Sequence, residues 1–145
     1  MSATLHLDIV TPDGRAFSGD VASVTLPGAE GDLGILPQHA PLLAALRPGE
    51  LTYVVNDAGT GLPQEVYLAV GTGFAEVTGE SVSVLTDLAV GPRDINAEAV
   101  EAELKRAEEY LRSHTLVGEE LEATEAAIAR SAAQLHVLRT RVHGA

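Results

Sequence analysis

Residues 28–41 read GAEGDLGILPQHAP, and the chain is organised around this stretch. Three Gly and two Pro in fourteen residues exclude a regular helix or a long central strand. Gly28 and Gly31 allow positive φ and therefore tight turns. Leu33, Ile35 and Leu36 are apolar enough to enter a core. Pro37 and Pro41 push Leu36 and Ala40 toward extended geometry. The expectation is a stiff, re-entrant surface loop with acidic Glu30 and Asp32 at its tip. Two uses fit such a loop: a sandwich corner, or a rigid docking element.

On both sides of the loop the chain alternates at period two. In residues 4–9, Leu5, Leu7 and Ile9 face one way while Thr4, His6 and Asp8 face the other. Thr11-Pro12-Asp13-Gly14 has the Pro and Gly placement of a type I turn. Residues 21–26 form a second strand. Residues 51–55 and 64–70 read as a hairpin around the Gly- and Asn-containing connection 56–63. Residues 73–78 and 81–87 form another, turned at Gly79-Glu80. Short strands at near-regular spacing with turns between them mean a β-sandwich or a flattened barrel.

The composition changes once, at Gly91-Pro92. Eleven of the fourteen Gly and six of the seven Pro lie before it, and no Pro follows Pro92. This places a domain boundary there, with a β domain over residues 1–90 and a helical hairpin over 91–145. The first helix starts at an Asn96 cap, or at Asp94, with Glu98 in its first turn. Val100, Leu104, Ala107 and Leu111 make one narrow apolar stripe. Glu101–Lys105 and Glu108–Arg112 have the spacing of favourable i,i+4 ion pairs. Residues 113–118 break the helix, and a second runs over about residues 119–142. Along it Leu121, Ile128, Leu135 and Val142 alternate with Thr124, Ser131 and Leu138 in a heptad seam with small polar members. Such a seam fits a helix that docks and releases, and equally a permanently packed hairpin.

The formal charge of −12 argues against nucleic acid or an anionic lipid surface as the main partner, since both call for a basic footprint. Charge is uneven within the tail. Residues 91–125 carry ten acids against four bases, whereas residues 126–145 carry no acid and three bases, Arg130, Arg139 and Arg141, with His136 and His143 beside them. A basic last helix on an acidic chain points to an acidic partner, or to a solvated face that complements the helix dipole. With no Cys there is no disulfide, thiolate metal site or cysteine nucleophile. No apolar run approaches the ~20 residues of a membrane span. The start, MSATLHLDIV, lacks the features of a signal peptide, so a reducing compartment is expected.

Catalytic motifs are missing. Gly71-x-Gly73 begins like a dinucleotide fingerprint, but Glu76 stands at the third glycine and a strand follows, so it reads as a strand entry needing small residues. Lys105 is the only lysine, which rules out a P-loop motif. His6, His39, His114, His136 and His143 are scattered, and His136 and His143 stand too far apart to share a metal. No catalytic, metal or cofactor-binding residue is expected.

The run G-x-E-G-D-L-G-I-L-P-x-H-A-P-L resembles the epsilon chain of F-type ATP synthases. Three further runs agree in order and spacing: DIVTP with FSG (residues 8–12 and 17–19), YLAVGTGFAEV (67–77) and VSVLTDLA (82–89). The resemblance implies an α+β chain: a two-sheet β-sandwich followed by an antiparallel two-helix hairpin. It implies a non-catalytic subunit of the central rotor stalk, coupling the gamma chain to the membrane c-ring of a proton-translocating synthase. Glu30, Gly31, Asp32 and Leu33 fall where the family touches the c-ring, with Asp32 as the acidic contact, and His39 falls near gamma. The hairpin is implied to be regulatory, extending to inhibit ATP hydrolysis, with Arg130, Arg139 and Arg141 meeting an acidic segment of the beta chain. The implied location is peripheral, on the cytoplasmic face of a bacterial plasma membrane. Some members bind ATP through an I-D-x-x-R-A motif. Here Asn96 and Ala99 replace its acid and arginine, so ATP is expected to bind weakly or not at all. Two alternatives are a free-standing β-sandwich binding module with a helical oligomerisation tail, and a hydrolase using Glu30 and Asp32.

Overall fold

The computed structural model of the chain describes residues 3–141, so Val142 of the heptad seam and His143 lie outside the described residues. The strands are β1 (Leu5–Thr11), β2 (Gly14–Val21), β3 (Ser23–Gly28), β4 (Gly31–Ile35), β5 (Leu42–Leu46), β6 (Gly49–Asn56), β7 (Pro63–Val70), β8 (Gly73–Val77), β9 (Ser81–Thr86) and β10 (Ala89–Val90). A 3-10 turn at Pro92–Asp94 leads into helices α1 (Ala97–Ser113) and α2 (Gly118–Arg141).

The strands follow one hydrogen-bonded path, β10-β7-β6-β3-β5-β8-β9-β1-β2, with β4 paired to β3. Among the described residues only β1 and β9 run parallel. The path curls back on itself until Phe17 of β2 meets Tyr53 of β6, with ring centroids 4.4 Å apart. The result is a sandwich close to a barrel. The alternation drives the curl. Leu5, Leu7 and Ile9 of β1 and Val82 and Val84 of β9 point inward and are at most 1% exposed. Val24 and Leu26, Ile35, Leu51, Ala75 and Val77 join them from the other strands. Burying a side chain of this size contributes about 1.5–3 kcal/mol.

Three segments differ from the sequence expectation. Residues 28–41 are not all loop: Gly31–Ile35 forms β4 and zips antiparallel onto β3, from Gly28 opposite Gly31 to Val24 opposite Ile35. Glycines at 31 and 34 mask a strand whose inward residues are Leu33 and Ile35. The remainder is loop, built on a turn in which Pro37 and Gln38 are central, Gln38 takes φ +68°, and His39 N–H donates to Leu36 O at 3.1 Å. The second and third differences are strands the alternation did not reveal. β2 carries exposed polar and glycine residues on a sheet edge, and β5 reads LLAAL, a run with no alternation. The Gly71 and Gly73 reading holds: a Cβ on either would collide with Asp87 or with the Leu85 backbone. Buried Thr86 ties this corner, its Oγ1 accepting from Gly71 N–H at 3.1 Å and donating to Thr72 O at 3.0 Å.

The helices form the expected hairpin. Asn96 caps α1, its Oδ1 accepting from Ala99 N–H at 3.1 Å. The Glu101–Lys105 and Glu108–Arg112 pairs do not form. Glu101 and Glu103 instead reach across to Arg139 and Arg130 of α2, at 3.8 and 3.9 Å. α2 packs on α1 and also lies on β6 and β7, where Ala69, Ile95, Val100, Leu135 and Val137 form a second, smaller core. Val137 is off the heptad seam yet fully buried, because α2 is covered on two sides.

Candidate functional site

Among the described residues no group of His and acidic side chains is arranged to hold a metal ion, and no helix is long and apolar enough to cross a membrane. What the fold offers is three surfaces.

The first is the β3–β4 hairpin tip. Glu30 and Gly31 are exposed at the turn, followed by Asp32 and half-buried Leu33. The turn is stiff for a steric reason. A Cβ on Gly28 would stand 2.5 Å from Gly31 O and 3.2 Å from the Leu33 side chain, so only glycine fits there, and Gly31 itself takes φ +139°. Asp32 accepts a hydrogen bond from Arg47 Nη2 at 2.6 Å. Arg47 was not among the sequence candidates, since nothing in its local pattern links it to a residue on another hairpin.

The second is the outer face of β5, β8 and β9. Leu43, Phe74 and Leu85 are 72%, 57% and 59% exposed. Phe74 pairs directly with Leu85 and with Ala45 of β5, so they share one face across three strands. Large apolar side chains grouped on a sheet face mark an interaction surface more than a solvated one. These residues were missed, although a signal exists: in residues 81–86 Val82, Val84 and Thr86 point inward, which leaves Leu85 outward. His39 stands three residues before the start of β5. It is half-buried, with Nδ1 2.8 Å from Ala40 O, and neighbouring Gln38 N–H donates to Gly79 O at 2.7 Å. The β8–β9 turn therefore fixes the loop that carries His39.

The third surface is the seat of the hairpin, where all three sequence-predicted arginines are engaged. Arg141 grips Glu50 of β6 with two bonds, Nε to Oε2 at 2.9 Å and Nη2 to Oε1 at 2.6 Å. Its guanidinium also lies over the Tyr67 ring, 3.9 Å from the centroid. The bond to Glu50 raises the Arg141 pKa further above neutral, and the bond from Tyr67 OH to Glu65 raises that of Tyr67. Arg130 stands 3.5 Å from Asp87 of the sandwich, while Arg139 reaches only Glu101 of α1. The structure thus does not gather the arginines into one patch. Arg141 pins α2 to the sandwich, Arg139 pins it to α1, and Arg130 stands between the two, near Asp87 and Glu103.

Residues 4–92 match the family model described as ATP synthase, Delta/Epsilon chain, beta-sandwich domain. The ATP synthase epsilon chain of Bordetella avium is 41% identical over 132 residues, covering 91% of this chain and 89% of that one. The fold is similar to a chain of the Euglena gracilis mitochondrial ATP synthase, OSCP/F1/c-ring, with a TM-score of 0.72 and 24% identity over 92% of this chain and 80% of the other. It is also similar to a chain of the Tetrahymena thermophila mitochondrial ATP synthase central stalk and c-ring, with a TM-score of 0.64 and 12% identity over 92% and 96%.

Proposed function

This chain belongs to the ATP synthase epsilon chain family, and we propose that it serves as a joint of the central stalk, linking the gamma chain to the c-ring and carrying a releasable brake on ATP hydrolysis. The observation that carries this reading is the division of surfaces. The sandwich presents a stiff acidic tip and an exposed face on which Leu43, Phe74 and Leu85 stand around Glu76, and the helices cover neither this face nor Glu30. A tip held by steric necessity suits a torque-bearing contact, because it transmits force without first being ordered. The tip residues Glu30, Gly31, Asp32 and Leu33 are assigned to the polar loops of the c-ring. The apolar sheet face, entered past His39, is assigned to gamma. On this reading residues 1–90 dock and residues 91–145 regulate, at the cytoplasmic face of the membrane that holds the ring.

The brake is read from the arginines. In the docked hairpin Arg130 and Arg141 are spent on Asp87 and Glu50. Reaching an acidic segment of the beta chain means exchanging those partners, so the two states compete for the same charges. A ligand or partner shifts such an equilibrium only by its differential affinity for the two states. Asn96 is already used as a helix cap, and Ala99 offers only a methyl group, which supports weak or no ATP binding at this position.

The test is a titration of the synthase catalytic core, freed of its epsilon chain, with the full chain and with a truncation ending at Pro92. Both are expected to bind, and only the full chain is expected to slow ATP hydrolysis. Binding by both without inhibition sinks the brake. Failure of both to bind returns the free-standing sandwich module to the front.

A further inference from the structure

We propose that Arg47 sets the charge of the hairpin tip: by neutralising Asp32 it leaves Glu30 as the carboxylate that meets a basic partner loop. This rests on the assignment of the tip to the c-ring, and moves the recognition charge from Asp32 to Glu30.

The pairing is built into the fold. Asp32 faces Pro27 in the β3–β4 ladder, and Arg47 N–H donates to Pro27 O at 2.9 Å. Both residues are therefore anchored at one backbone position from opposite sides. The Arg47 side chain then crosses Gly49, where a Cβ would stand 3.1 Å from Nη1 and 3.0 Å from Pro27 Cβ. The missing side chain at residue 49 leaves the passage by which the guanidinium reaches Asp32. Glu50, the next acid along the same cleft, is already engaged by Arg141. Among the described residues Glu30 has no ion-pair or hydrogen-bond partner, and it is exposed at the turn.

The side chains of the Arg47–Asp32 pair are 46% and 66% exposed, so the pair adds little to stability. Its effect is electrostatic. It cancels one of two neighbouring carboxylates, and an approaching cation meets a single localised charge that fixes register more than strength. Arg47 is a positioning residue, and its removal has a distinctive sign: it frees Asp32 and makes the tip more attractive to a basic loop.

The full-length chain and its E30Q, D32N, R47Q and R47K variants are titrated at low and high salt against the detergent-solubilised gamma–c-ring assembly of the same organism. E30Q is expected to weaken binding about threefold to tenfold at low salt and to flatten the salt dependence. R47Q is expected to tighten binding about threefold and to steepen it, R47K to behave as wild type, and D32N to weaken binding by leaving Arg47 uncompensated. Weaker binding by R47Q overturns the proposal, since that is the signature of a structural lesion. So does E30Q binding as wild type. A wild-type chain that does not bind the assembly at all overturns the c-ring assignment, and the proposal with it. When the wild-type chain binds, E30Q binding as wild type overturns the proposal and leaves the c-ring assignment standing.

Discussion

Leu7 in the sandwich and Val137 on α2 are both fully buried, yet they sit in interfaces of different kinds. Around Leu7 the strands contribute a continuous apolar core, and β1 is paired on both edges, with β2 and with β9. Around Val137 the apolar patch is small, padded with alanine, and rimmed by ion pairs from Arg130 and Arg141. It also contains a flaw. Ser131 is 1% exposed, and its hydroxyl has no hydrogen-bond partner. A buried unpaired hydroxyl costs about 1–3 kcal/mol. The first interface is large and continuous; the second is small and incompletely packed, as the proposed releasable brake requires. The difference supports placing the proposed brake in the helical hairpin, the region whose packing is incomplete.

Four substitutions break or sharpen this contrast. Leu7→Ala removes a side chain from the centre of the apolar core and is expected to cost about 2–5 kcal/mol in denaturant unfolding followed by circular dichroism, with strands and helices lost together. Val137→Ala is expected to cost about 2 kcal/mol, but as local opening. Hydrogen exchange then speeds up in α2 while β1 and β9 amides keep their protection. Equal acceleration in both regions would show that the hairpin is part of the global fold.

Glu50→Gln leaves Arg141 with a neutral partner. Because the pair is partly open to water, the expected loss is about 1 kcal/mol of docking, seen as faster α2 exchange at low salt that converges on wild type at high salt. The same variant is expected to inhibit ATP hydrolysis more strongly, since Arg141 is freed. Ser131→Ala has the opposite sign. Removing the orphan hydroxyl is expected to tighten docking by about 1 kcal/mol, slow α2 exchange and weaken inhibition. Faster exchange in Ser131→Ala would mean that the hydroxyl is satisfied in solution and that the flaw is not real.

Much of this architecture was legible beforehand because local chemistry decides it. Alternation in β1 and β9 is enforced by the pleat, and the Asn96 cap and the stripe from Val100 need only helical geometry. The change of composition at Gly91-Pro92 marked where strands give way to helices. Residues 28–41 gave the acidic tip correctly and hid β4, since glycine lowers the strand signal without preventing pairing. Strand β5 was silent because a strand with an apolar outer face does not alternate, and that outer face is one of the surfaces proposed to dock.

By itself, then, the sequence determined the family motifs, the β-then-α order, and which residues carry charge on the tip and on the last helix. Tertiary structure alone decided where those charges go. Asp32 meets Arg47 across two hairpins, and Arg141 meets Glu50 from 91 residues away. A charge's partner depends on distances set by the whole fold, and no local period encodes them. The same holds for Val137, whose burial comes from a second neighbour that a heptad count does not know about.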